Sequence, residues 1–228
     1  AVLSAVFKIL DVETMQASPG ALREGVIHDL LGRIRSEDAR ERTIRSFARR
    51  YHVDLEQAGR VAGTALALLA QVAEGWDLES ATDERMLSWA ARLHEIGLGI
   101  SYSGYHRHGA YIAANADMPG FSRQDQLALS TLILSHRRKP DLASFDALTA
   151  DERERERWMR LCVLLRLAVR LHRSRSPRPL AHCELFVRKR ELRLEFDDGW
   201  IELHPLSRAD LDDEIVQVHE LGFELSAS

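Results

Sequence analysis

The window that most restricts this chain is residues 158–171, inside a predicted helix that Asp151 opens and that runs to Arg175, because it is apolar nearly all round. A surface helix needs apolar residues on one stripe only, so a segment apolar on every face has to be enclosed by other elements. The chain before it supplies them. Leu55, Ala58, Val61, Ala62, Ala65, Leu66, Leu69 and Val72 form one helical stripe, Met86, Trp89, Ala90 and Leu93 a second, and Leu127, Leu129, Leu132 and Ile133 a third. Asp54 or a neighbour, Asp83 and Ser122 are read as the start signals of these helices, Ser122 with Asp125 as a capping box. An earlier helix is expected over residues 20–34, from Leu22, Val26, Leu30 and Ile34, with Ser18-Pro19-Gly20 as its start.

Past a Ser/Pro/Arg linker at 174–179 the period changes from helical to alternating. Residues 184–187, 191–196 and 200–204 read as strands, with Asp198-Gly199 as a hairpin turn. Ser207 with Asp210 is read as the cap of a helix carrying Leu211, Ile215, Val218 and Leu221, and Gly222 as its end before a last strand at 223–225. The predicted fold class is mainly α: a helical domain over 34–176, then a small α+β subdomain over 177–228.

Composition excludes some classes. With 228 residues, 45% hydrophobic and 29% charged, the chain is ordinary for a soluble globular protein of one or two domains. A net charge of -4 gives no argument for a nucleic-acid partner, so any polyanion site must come from how the charges are distributed. The most apolar run, 161–171, is interrupted by Arg166 and Arg170, which argues against a membrane span. Cys162 and Cys183 make no disulfide framework or metal pattern, and a cytoplasmic location is the expectation.

Chemistry-bearing side chains gather around one stretch. His94-Glu95-Ile96-Gly97 closes a helix, a Gly-rich loop follows, and His106, Arg107 and His108 open the next helix; His136 comes one helix later, before Arg137, Arg138 and Lys139. Two imidazoles, a guanidinium and free backbone N–H groups at a helix start suit an anion as well as a cation. Arg166, Arg170 and Arg173 share one stripe of the central helix at spacings of four and three, and Arg45, Arg49 and Arg50 form a late basic run on an earlier helix.

The pattern His94-Glu95-Ile96-Gly97, His106, His108, His136 resembles the helical phosphohydrolase superfamily named for its His-Asp pair. Longer strings, Gly20-Ala-Leu-Arg-Glu-Gly25, His28-Asp-Leu-Leu-Gly32, Leu93-His-Glu-Ile-Gly97 and Ser103-Gly-Tyr-His-Arg-His-Gly-Ala-Tyr-Ile112, resemble the exopolyphosphatase and guanosine pentaphosphate phosphohydrolase family over nearly the whole chain. That resemblance implies two actin-like domains followed by a degenerate His-Asp-type region, with this chain matching the second part. Residues 1–33 would then be the tail of the missing catalytic domain and a linker helix. The catalytic groups would lie in the actin-like domains, as would the magnesium the full-length enzyme uses, leaving no catalytic residue and no cofactor here.

The superfamily's metal positions fall on Gln57, His94, Glu95, His136 and Val169, so two ligands are lost, and an amide is a poor substitute for imidazole. His94, Glu95 and His136 are thus degenerate positions, with no metal expected. The function implied is to bind inorganic polyphosphate and form a homodimer, as the C-terminal region of an exopolyphosphatase that releases terminal orthophosphate. Its foremost contacts would be His106, Arg107, His108, Arg137, Arg138, Lys139, Arg166, Arg170 and Arg173, with the central-helix stripe and residues 137–139 lining one channel. Two other readings stand beside it: an independent metal-dependent phosphohydrolase acting on guanosine penta- or tetraphosphate or other nucleotides, and a helical dimerisation module whose arginines are merely solvated. The degenerate reading carries a direct test: the purified chain should hold no stoichiometric zinc, manganese or iron, and one metal per chain by elemental analysis would sink it.

Overall fold

The computed structural model describes residues 36–197 and 199–228, with side chains from Ala39 onward. The expected helix at 20–34, its Ser18-Pro19-Gly20 start, the 1–33 tail and Asp198 of the expected turn lie outside the described residues. The chain divides between Ala39 and Arg40, and the architecture that follows is that of residues 40–228.

It is mainly helical, with a small α+β portion at the end. The helices are α1 (Ser36–Arg50), α2 (Leu55–Trp76), α3 (Ala81–Leu93), α4 (Tyr105–Asn115), α5 (Arg123–Ser135), α6 (Leu142–Leu148) and α7 (Glu152–Leu171). The order continues with β1 (Cys183–Arg188), β2 (Glu191–Phe196), a one-turn α8 (Trp200–Leu203), α9 (Pro205–Glu220) and β3 (Glu224–Ala227). Among the described residues no helix is long and apolar enough to cross a membrane.

Every residue of α7 from Leu161 to Ala168 is buried, as its all-round apolar character requires. Helices α2, α3, α5, α6 and α9 all pack on it. Its start is as read: the Asp151 carboxylate accepts from the backbone N–H groups of Arg153 and Glu154 at 2.8 and 3.2 Å. Asp54 caps α2 in the same way, and Ser122 with Asp125 makes the capping box of α5. At α3 the cap is Ser80, whose hydroxyl takes the Asp83 N–H; Asp83 sits three residues in, where its carboxylate is held by Arg157 at 2.6 Å. The central helix stops at Leu171 rather than Arg175.

The sheet order is β1-β2-β3, with β1 antiparallel and β3 parallel to β2. It is anchored on α2: the Leu185 N–H donates to Gln71 Oε1 at 2.6 Å, and Trp76 Nε1 donates to the Lys189 carbonyl at 2.9 Å. The expected strand at 200–204 is instead α8, because Phe196, Trp200 and His204 stack at four-residue intervals with ring centroids 4.5 and 4.3 Å apart. Helix α9 begins at Pro205, so Ser207 and Asp210 lie inside it rather than capping it. The last strand is Glu224–Ala227, one residue later than the expected start, after Gly222 takes the left-handed turn at φ 81°.

A wholly buried ion pair helps join these parts. Arg166 of α7 is wholly buried, and its guanidinium donates to Glu214 of α9 and to the carbonyls of Ser135, the last residue of α5, and of Arg138 beyond it. Removing one partner of a buried pair leaves an uncompensated charge, which costs about 3–5 kcal/mol. Glu214→Ala is therefore expected to lower stability by that amount in urea unfolding, whereas Glu220→Ala, which breaks the exposed Lys139–Glu220 pair, should cost under about 1 kcal/mol. Equal losses for the two would overturn this account.

Candidate functional site

A pocket of about 390 Å³ opens where α2 begins and α3, α5 and α7 end. Its lining includes Gln57, His94, Glu95, His136 and Val169, the five positions that the sequence pattern equates with metal ligands. Around them stand Arg137, Arg138, Arg170, Arg173 and Arg175, with Tyr102, Tyr105 and Leu98 on another wall and Asp213 the second carboxylate.

Local sequence explains the placement. His94 caps the end of α3 and His136 the end of α5, each in helical conformation. Each ring's Nδ1 lies 2.6 Å from a carbonyl of its own last turn, Ala91 for His94 and Ile133 for His136. The 3-10 turn Ile96–Gly99 then packs directly on the start of α4. Gly97 is obligatory there: a Cβ would stand 2.0 Å from the Tyr105 carbonyl oxygen and 2.6 Å from the Gly109 nitrogen. Tyr105 is thereby pressed to the pocket wall, 5.6 Å from the His136 ring, with the Arg137 guanidinium 4.4 Å over its face.

The donor set does not fit a metal ion. Gln57 spends its amide on the His172 carbonyl at 2.7 Å and on Arg60 at 2.8 Å. Both Glu95 oxygens are taken by Arg175, at 2.9 and 2.8 Å. Val169 has nothing to give. Among the described residues no group of three His, Cys, Asp or Glu side chains is arranged to hold a metal ion. An arginine fork stands on the carboxylate that a cation would need.

Charge is unevenly compensated. Arg175 is held by Glu95, Arg170 by Glu214 at 2.6 Å, and Arg173 by Asp210. Arg137 and Arg138 form no ion pair with a carboxylate among the described residues. Burial pushes the imidazoles toward the neutral form: His94 down to about 4, helped by Arg175, and His136 well below its ordinary value, helped by His94. Burial also raises the Glu95 carboxyl, against the pull of Arg175. What the pocket presents is fixed guanidinium charge beside neutral rings.

Of the residues singled out in the sequence, the structure brings Arg137, Arg138, Arg170 and Arg173 to this pocket together with the degenerate positions His94, Glu95 and His136. Arg166 is corrected: it shares their stripe but faces inward and is consumed by Glu214 and two carbonyls. Lys139 pairs with Glu220 away from the lining, and Arg107 is exposed outside it. His106 is buried with an unpartnered Nδ1, its ring 6.4 Å from His136, and neither it nor His108 lines the pocket. Arg45, Arg49 and Arg50 lie on the exposed side of α1. Arg175, Tyr102 and Tyr105 were not singled out. Arg175 lies in a stretch that reads as linker, and it is the left-handed turn at φ 55° that brings it back to Glu95.

Comparison with known proteins identifies the family of the chain. Residues 39–215 match the model of the family "Ppx/GppA phosphatase, domain III". Two relatives, each named guanosine-5'-triphosphate,3'-diphosphate pyrophosphatase, are 38% identical: one from Pseudoalteromonas translucida over 225 residues, one from Pseudoalteromonas atlantica over 226. Each alignment covers 99% of this chain but 45% and 44% of the relatives, so the chain spans less than half their length.

The neutral rings predict an acid-sensitive fold. His94 titrates near 4 in the folded chain and near 6.5 when unfolded. The unfolded state alone takes up the proton between those values, so stability present above about pH 6.5 is lost as pH falls toward 4. Between pH 7.5 and 5 the loss from His94 alone should be about 2 kcal/mol. Urea midpoints at the two pH values measure it, and His94→Gln should shrink the difference; an undiminished difference in that variant would refute the assignment.

Proposed function

Given that the chain belongs to the Ppx/GppA phosphatase family, we propose that it is the part of such a phosphohydrolase that grips the phosphate chain of the substrate, while the hydrolytic chemistry resides in actin-like domains of the whole protein. The single observation that carries this reading is the pair Arg137 and Arg138, neither in an ion pair with a carboxylate among the described residues, on the wall of a pocket whose histidines are neutral. Guanidinium forks match phosphate oxygens in geometry and charge. The relatives' names make guanosine 5'-triphosphate 3'-diphosphate a proposed substrate of the whole protein, beside inorganic polyphosphate; the two share a phosphoanhydride chain, which is what the arginines would hold. A homodimer, magnesium at the catalytic domains and a cytoplasmic location belong to the same proposal.

Binding of tripolyphosphate and long-chain polyphosphate to this chain, measured by calorimetry at two salt concentrations, tests it. Affinity should fall with salt through counterion release, and the joint change Arg137→Ala, Arg138→Ala should weaken it and flatten the log-affinity against log-salt slope by roughly 0.7–0.9 per lost contact, by analogy with nucleic-acid backbones. Arg49→Ala with Arg50→Ala, on the exposed end of α1, should leave both unchanged. Equal affinity and slope in wild type and the Arg137, Arg138 variant would overturn the reading.

A further inference from the structure

The arginines say that the pocket takes an anion; the imidazoles say which kind. His94 and His136 are each 1% exposed, their ring centroids 5.3 Å apart at 82°. The atoms 2.6 Å from their Nδ1 nitrogens are carbonyl oxygens, which can only accept. The ring proton therefore sits on Nδ1 in both, and in a neutral ring Nε2 is then a bare acceptor. His94 Nε2 has no hydrogen-bond donor among the described residues; the atom facing it, Glu95 Oε1 at 3.9 Å, is another acceptor whose charge is already answered by Arg175. His136 Nε2 lies 3.5 Å from the Tyr105 hydroxyl, at the limit of a hydrogen bond.

The pocket thus offers guanidinium donors on one side and, on the other, an imidazole nitrogen that meets no protein donor among the described residues. A ligand that takes the place of water at this nitrogen but offers it no donor leaves it unmet at the cost of its desolvation, and an anion whose oxygens are all acceptors adds repulsion to that. Sulfate is such an anion, and so is a phosphate in the interior of a chain. An anion that keeps an acidic hydroxyl satisfies both sides.

Resting on the reading of this pocket as a phosphate site, we propose that it selects hydrogen phosphate, a phosphate still bearing a P–OH, with that hydroxyl donating to His94 Nε2 while Arg137 and Arg138 hold the anionic oxygens. Orthophosphate meets the requirement at neutral pH. The end group of a linear oligophosphate meets it only in its protonated form, and a cyclic phosphate has no end group to offer.

Calorimetry on this chain at pH 7 with four probes decides the matter: orthophosphate, sulfate, linear tripolyphosphate and cyclic trimetaphosphate. Orthophosphate is expected to bind at least about tenfold more tightly than sulfate, as an unmet buried acceptor implies, and linear tripolyphosphate more tightly than the cyclic trimer. Stronger binding of tripolyphosphate than of orthophosphate would identify the chain end, rather than the free ion, as the occupant carrying the hydroxyl. In His94→Gln, whose amide can turn a donor to the ligand, the preference for orthophosphate over sulfate should fall to within about twofold; His136→Gln, folded by circular dichroism, serves as the second variant and should retain part of the preference. If no probe binds, both this proposal and the anion reading fail. If orthophosphate and sulfate bind the wild type equally, with Arg137→Ala weakening both, the anion reading survives and the hydroxyl requirement is overturned. An undiminished preference in His94→Gln also overturns it.

Discussion

The contact on which the rest depends is the buried guanidinium of Arg166. Glu214 alone would make it an ion pair between α7 and α9, of little net worth once desolvation is counted. Its other two bonds, to the carbonyls of Ser135 and Arg138, change its meaning. The end of α5 has orphan carbonyls that need donors, and Arg166 supplies them from the centre of the molecule. The turn so held carries His136, Arg137 and Arg138, with Arg138 in the left-handed region at φ 60°. One inward-facing charge thus fixes where two outward-facing ones stand.

The same constraint explains why the arginine stripe was only half readable. Spacings of four and three put Arg166, Arg170 and Arg173 on one face; in the structure Arg166 and Arg170 both reach Glu214 from α7, while Arg173 lies just past the helix end and reaches Asp210. Periodicity gives the face but not what covers it. The cover is α9, and the residue that decides the matter, Glu214, lies 48 positions further on. Exposure rises along the stripe, from Arg166 at its buried end to Arg173 at its wet end. Arg175 escaped for the opposite reason: composition marks its neighbourhood as linker, and only the backbone turn returns it to Glu95.

Elements whose signals are local were legible. Caps at Asp54, Ser122 and Asp151 need only a side chain and an N–H two or three residues away, which sequence states outright. Helix α6, seven residues after Pro140, is too short to show a period and was not anticipated. The segment 200–204 alternates like a strand, yet β2 already has partners on both sides, β1 and β3, so no edge remains for a further strand beside it. The ring stack at four-residue spacing was the helical signal present in that stretch.

The hydrogen bonds that tie His94 and His136 back to their own helices have a consequence for how acidity is felt here. With both rings neutral and the remaining cations all guanidinium, the wall facing the anion keeps one charge through the neutral range. A proton arriving near pH 7 finds no ready place on either imidazole, so the ionisation of the guest is what these two rings would register.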